Sequence, residues 1–199
     1  MKNLIETAED QPDCGVVGAI EEAYQTGEIR AVGGKNFSFL KARGQWIKEM
    51  PTSGGRILDV DYVQGSMVLF SKKGLQRGIR LDEKLFMYCE EVDLGFQLKK
   101  KGLKAYTDLR CRVRHKGVPK KLTAYQGYLI QRNRLYLCRK HATRLTYLFS
   151  ALYMGLLEIP AKWFLRSLQG NFHYGWVCFL GFLDALVGRL GYGRCQQLQ

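Results

Sequence analysis

Phe86-Met87-Tyr88-Cys89-Glu90-Glu91-Val92-Asp93-Leu94 sets three carboxylates at the head of a helix. Lys99-Lys100-Lys101 ends that helix, and Gly102 follows in the position that commonly closes one. Val92 and Phe96 are one helical step apart, as are Leu94 and Leu98, which gives the helix an apolar face. Acid at the start and lysine at the end also match the helix dipole, so the acids alone prove no chemistry. The lysine run is most simply a solvated helix end.

Downstream, a period of two takes over. Leu109, Cys111 and Val113 point one way, and Arg110, Arg112 and Arg114 the other. His115 keeps the parity of the apolar set, so it turns toward an interior or a cleft. The chain thereby places a carboxylate pair and an imidazole where one cleft can use both. From about Leu122 onward the pattern is helical, with two apolar runs, Leu145–Ile159 and Trp176–Val187. Each is shorter than the roughly 20 residues needed to span a bilayer. Lys162, Trp163, Arg166 and Trp176 lie between or beside them, as in helices that rest on a membrane surface.

Upstream, Cys14–Ile20 reads as a buried strand and residues 21–56 as glycine-rich loops with short strand pieces. A strand is expected over Val60–Phe70, then a short helical turn capped by Ser71. Leu4, Ile5 and Ala8 read as the last turns of a helix, closed by Gln11-Pro12-Asp13, so the chain is expected to begin inside an element. No apolar leader is seen at Met1.

The 199 residues carry a net charge of +13, unevenly distributed. Residues 1–99 hold 13 Lys/Arg and 15 Asp/Glu, whereas residues 100–199 hold 18 and 3. The second half therefore faces something anionic. The arginines alternate on one strand and scatter over helices without a nucleic-acid motif, so nucleic acid is not an expected partner. The six cysteines form no CxxC pair and read as reduced thiols of a cytosolic protein.

Five pieces in order resemble the C-terminal part of family-2 glycosyltransferases of the rhamnosyltransferase-like type. They are Val60-Asp61-Tyr62-Val63-Gln64-Gly65-Ser66, Gly78-Ile79-Arg80-Leu81-Asp82-Glu83, Phe86–Leu94, Val113-Arg114-His115-Lys116-Gly117 and Arg132-Asn133-Arg134. Cys14-Gly15-Val16-Val17-Gly18 looks like the strand that follows that family's metal-binding region. The resemblance implies an α/β fold, an incomplete GT-A mixed sheet over residues 1–121, with a basic, aromatic-rich helical extension over 122–199. It implies inverting transfer from a nucleotide-sugar donor to a growing glycan or lipid-linked acceptor, in polysaccharide or cell-envelope synthesis.

By that resemblance Glu91 is the general base, in place of the family's Asp, with Glu90 as its neighbour. Adjacent helical residues diverge by about 100°, so only one of the two is expected to face the acceptor. Gly65, Ser66 and Tyr88 are expected near the acceptor, and Asp93 as a helix-start or scaffold acid. His115 is the expected metal or diphosphate ligand, and Arg132 a phosphate contact or a helix stabiliser. His141 and His173 have no motif around them and read as surface or packing residues.

The implied cofactor is a divalent ion, Mg or Mn, bound through an acidic D-x-D cluster on an N-terminal nucleotide-binding half. Only thirteen residues precede Cys14, so weak donor binding is expected. Asp59-Val60-Asp61 has the D-x-D form but falls on the acceptor-side strand and is read as a decoy. The expected location is cytoplasmic, peripheral on the cytoplasmic face of the membrane. A half sheet leaves an unpaired edge, so poor solubility is also expected. The competing reading is a non-catalytic basic module that binds an anionic membrane surface or nucleic acid.

Overall fold

The computed structural model describes residues 1–52, 55–116 and 123–195. It is a mixed α/β structure with C-terminal helices. The chain divides into two compact units: Met1–Asn36, Gly44–Leu81 and Glu90–Val118 form the first, and Phe37–Arg43, Asp82–Cys89 and Pro119–Gln199 the second. The boundary expected between residues 121 and 122 lies outside the described residues, as do Gly117 and Leu122.

In the first unit, helix α1 (Lys2–Asp10) precedes strand β1 (Cys14–Ala23), which is buried along its whole length. Burial on both faces is what a central strand requires, and its run of small and β-branched residues suits it. β1 runs parallel to β7 (Lys104–His115) and antiparallel to β2 (Ile29–Ala31) and β6 (Val68–Phe70). β5 (Ile57–Val60) pairs antiparallel with the other edge of β7, giving a five-stranded mixed sheet. β3 (Gly33–Ser38) and β4 (Arg43–Ile47) form a separate two-stranded sheet.

β1 runs three residues beyond Ile20, so the sequence-based end of that strand is too early. The single strand expected over Val60–Phe70 is in fact two, β5 and β6, joined by a bend over residues 61–67. At the bend the Asp61 carboxylate accepts the Asn36 amide at 2.7 Å, and Gln64-Gly65-Ser66 leaves the sheet. The short helix α2 (Lys72–Gln76) is capped by Ser71, whose Oγ accepts the Gly74 amide at 2.9 Å. Helix α3 (Glu90–Lys100) buries Leu94 and Leu98 against Val16, Val63, Leu103 and Ala105. The 109–115 stretch of β7 alternates half-buried and exposed as its period of two requires.

In the second unit, α4 (Ala124–His141) opens with a capping box, in which Thr123 and Gln126 satisfy each other's backbone amides. α5 (Arg144–Leu152), a π-helical turn (Tyr153–Glu158) and α6 (Ile159–Leu168) form one continuous helix of 25 residues, Arg144–Leu168. Its length, roughly 37 Å at the α-helical rise, corrects the expectation of an apolar helix too short to cross a bilayer. Pro160 did not stop it. The π turn bonds the Ile159 amide to the Met154 carbonyl, which opens the ladder where the proline ring would clash. By length and composition this is the one helix able to cross a membrane among the described residues. α7 (Phe172–Val187) is capped by Asn171 and closed by Gly188 in the left-handed region.

Candidate active site

The two parallel strands β1 and β7 end side by side at Ala23 and His115. In open α/β sheets, the carboxyl ends of parallel strands are where ligands collect. β7 slips its register against β1 between Ala19 and Ile20, so that Ile20–Ala23 pair with Arg112–His115. The slip sorts the charges by face. Arg112 and Arg114 ion-pair with Glu22 on one face. Val113 and His115 take the other, the face on which Glu21 reaches Gln64, whose Nε2 donates to Glu21 Oε2 at 2.7 Å. His115 is two residues beyond Val113, the partner of Glu21, which puts it roughly 7 Å farther along the strand.

Gln64 starts the turn that brings the bend under the head of α3. A Cβ placed on Gly65 would lie 3.7 Å from Glu90 Oε1 and 4.0 Å from Glu91 Oε2. Both carboxylates therefore converge on position 65, which corrects the expectation that only one of the pair could face the site. Their Cβ atoms diverge by about the helical 100°, but both side chains are long enough for the carboxylates to reach one point. Gly65 itself is not required by the backbone, since its φ is outside the left-handed region and its missing Cβ meets no clash. What the glycine leaves is a position whose nearest side-chain atoms are the two carboxylates.

Three polar atoms on Glu90 and on the two chain neighbours of Gly65 are left unsatisfied. Glu90 Oε2, Gln64 Oε1 and Ser66 Oγ are all buried and lack a hydrogen-bond partner. Such groups are rare in native proteins and commonly mark a ligand position. The acids are also hard to ionise. Burial, then the neighbouring Glu90 and the more distant Glu21, push the Glu91 carboxyl up to about 8. Burial raises Glu90 as well. Two carboxylates this close titrate as a pair that retains a proton near neutral pH.

The remaining expected residues are placed elsewhere. Asp93 is wholly buried, accepts from Gln97 Nε2 at 2.6 Å, and stays out of the space at Gly65. Asp59 ion-pairs with Lys104 at 3.2 Å. Tyr88 belongs to the second unit, where its hydroxyl accepts from Gln126 Nε2 at 2.8 Å. Arg132 is also in the second unit and fully buried. It donates to Asn133 Oδ1 at 2.9 Å, to the Gly191 carbonyl at 2.8 Å and to the Leu85 carbonyl at 3.0 Å. Its guanidinium thus holds backbone rather than presenting itself to a phosphate.

Glu21 and Gln64 are site residues that sequence reasoning missed. The signal was there, an acid directly after a buried strand bound for the middle of a sheet. No group of three or more His, Cys, Asp or Glu side chains suited to a metal ion occurs among the described residues. His115 and the Glu90–Glu91 pair therefore do not by themselves make a metal centre. No protein-family model matches the chain, and no curated protein matches it.

Proposed function

We propose that the first unit carries the acceptor side of an inverting glycosyltransferase of the family-2 type, an incomplete GT-A sheet with Glu91 as general base. The observation that carries this reading is the convergence of the Glu90 and Glu91 carboxylates on position 65, beside unsatisfied buried polar atoms on Glu90, Gln64 and Ser66. A sugar hydroxyl is a donor and an acceptor at once, and such a pocket offers it both kinds of partner.

In the proposed step the acceptor oxygen attacks the anomeric carbon of a nucleotide sugar. The new C–O bond forms as the bond to the nucleoside diphosphate breaks, and the bonding pair leaves with the diphosphate. The hydroxyl proton passes to Glu91. Glu90 holds the neighbouring hydroxyl and keeps the Glu91 carboxyl basic by its charge. Gln64 and Ser66 orient the acceptor. His115, on the same sheet face as Glu21, is offered to the diphosphate side. The divalent ion implied by the sequence resemblance is assigned no ligands in this set, and no step is routed through it.

The proposed seat is the cytoplasmic face of a membrane, with a glycan or lipid-linked acceptor. Support comes from the exposed Leu145, Leu148, Phe149, Leu152, Leu156 and Leu157 of the Arg144–Leu168 helix. The test is transfer from labelled nucleotide sugars, with acceptor binding followed separately by ligand-observed NMR. Glu91→Gln is expected to retain acceptor binding and to lose transfer by about 10²–10⁴-fold. Equal transfer by the variant, or no glycan bound by either protein, overturns the reading.

A further inference from the structure

The second unit contains a cavity of about 300 Å³ lined by Arg43, Gln131, Arg134, Lys162, Arg166 and Tyr174, with Gly127 and Ile130 closing it. Its chemistry follows from helical spacing. Glu158, Lys162 and Arg166 recur every fourth residue, so they share one face of the Arg144–Leu168 helix. Gln131 and Arg134 are one turn apart on α4. Tyr174 comes from α7, and the Arg166 guanidinium lies over its ring at 5.1 Å.

Charge and hydrogen bonding are both out of balance there. Four cations line the cavity, and three of them meet one carboxylate. Arg134 holds Glu158 bidentately at 2.6 and 2.9 Å, Arg43 reaches Oε1 at 3.1 Å, and Lys162 ion-pairs with the same oxygen. Gln131 Nε2 also points at Oε1, at 3.3 Å. Four donors therefore crowd one carboxylate oxygen, although a carboxylate oxygen has only two lone pairs. The titration of the cluster agrees. Burial alone would raise Glu158, but the Arg134 and then the Lys162 contacts override it and hold the group far below the usual carboxylate range. Lys162 is lowered by burial first, and by the guanidiniums of Arg134 and Arg43 against the pull of Glu158.

We propose that this cavity binds a phosphate-type anion, a phosphate monoester or diphosphate, whose oxygens take the surplus donors of Arg43, Lys162 and Arg166. Planar guanidiniums and a mobile ammonium are the side chains that recognise such groups. The volume suits a small polyanion rather than a whole nucleotide sugar. Every lining residue is in the second unit, so the proposal stands or falls independently of the Glu91 reading. One chemistry has two sources here, a free phosphorylated metabolite or the headgroup of a lipid, since the same helix exposes apolar side chains on its outer face.

The test is calorimetry of the full chain with inorganic phosphate and with pyrophosphate, alongside flotation with vesicles of phosphatidylcholine, alone and mixed with phosphatidic acid. Arg43→Ala and Arg166→Ala are the informative variants, because neither side chain is in the hydrophobic core. Lys99→Ala, at a solvated helix end, controls for net charge. Pyrophosphate is expected to bind, and each arginine variant to weaken it by about tenfold. Loss of phosphatidic-acid flotation in the same variants assigns a lipid source; pyrophosphate binding without it assigns a soluble one. Failure of both anions to bind, or equal weakening in Lys99→Ala, overturns the site.

Discussion

At Gly65 a side chain is missing for no structural reason, and that makes the residue a clean probe. Replacing it with alanine adds a methyl at ordinary van der Waals distance from Glu90 and Glu91. The backbone there tolerates an L residue, so Gly65→Ala should raise stability by about 0.4–1 kcal/mol through the unfolded chain. The same methyl fills the space offered to an acceptor, so acceptor affinity should fall. Stability and binding moving in opposite directions, read by urea unfolding and NMR titration, is the expected result; a joint fall would show that Gly65 is structural. Glu91 gives a second prediction. Its folded-state carboxyl is raised from 4.5 to about 8, so between those values the native state retains a proton that the unfolded chain releases. Its contribution is complete below about pH 4.5 and is lost as pH rises through 8. Glu91→Gln remains neutral throughout, so it should match the natural protein at pH 5 and exceed it by ~2–4 kcal/mol at pH 9. Transfer, needing the ionised base, should rise with pH through the same region. The acid pair was legible from the sequence because three acids at a helix start stand out. Glu21 stood out only as an acid after a buried strand, and the role of Gln64 depends on which strands become neighbours.

Among the elements, the loop before α3 carries the most strain. Phe86, Tyr88 and Cys89 all have φ between 63° and 70°, a region that non-glycine residues avoid. Asn133 holds this loop in place. Its Nδ2 donates to the carbonyls of Leu85, Met87 and Tyr88 at 2.8, 2.7 and 2.8 Å. Arg132 adds a bond to the Leu85 carbonyl from the same turn of α4. Asn133→Ala removes the amide from three acceptors and should lower stability by about 2–3 kcal/mol in denaturant titration. Asn133→Asp, which turns a carboxylate toward three carbonyls, should do more damage. If alanine is neutral, the loop holds its shape without the clamp. The Arg132-Asn133 pair was noticed in the sequence, but its partners are some 45 residues away along the chain, and side-chain periodicity does not reach that far. The break at 61–67 escaped for a related reason. Apolar residues continue through Val63, Met67 and Val68, and only the loss of sheet partners shows that the strand has ended. The Arg144–Leu168 helix was cut short because proline reads as a terminator, whereas a π turn lets the ladder pass it.

For the whole molecule, charge and apolar exposure have to be considered together. The three acids of residues 100–199 are all ion-paired: buried Asp108 with Arg110, half-buried Glu158 with Arg134 and Lys162, and buried Asp184 with Arg189 and Arg194. With no acid left over in that half, its cations outnumber the carboxylates available to them there, an imbalance that composition had already made visible. Composition did not reveal that Glu158, Lys162 and Arg166 all turn inward from the Arg144–Leu168 helix. Their inward turn leaves an outer face on which Leu145, Leu148, Phe149, Leu152 and Leu156 are each about half or more exposed. Exposed apolar side chains at this density, on a helix whose charges turn the other way, make a face suited to an apolar surface. The prediction is that the chain floats with phosphatidylserine-containing vesicles at low salt. It should float less with neutral vesicles, because surplus cations add to the apolar term only on an anionic surface. High salt should remove the difference between the two vesicle types while leaving part of the binding, since screening weakens charge and not burial. Leu152→Glu with Leu156→Glu should abolish the salt-resistant part without unfolding the protein, as both side chains are exposed in the native structure. A chain that remains in the soluble fraction with anionic vesicles at low salt would require another role for that apolar face, and the lipid-linked acceptor would go with it.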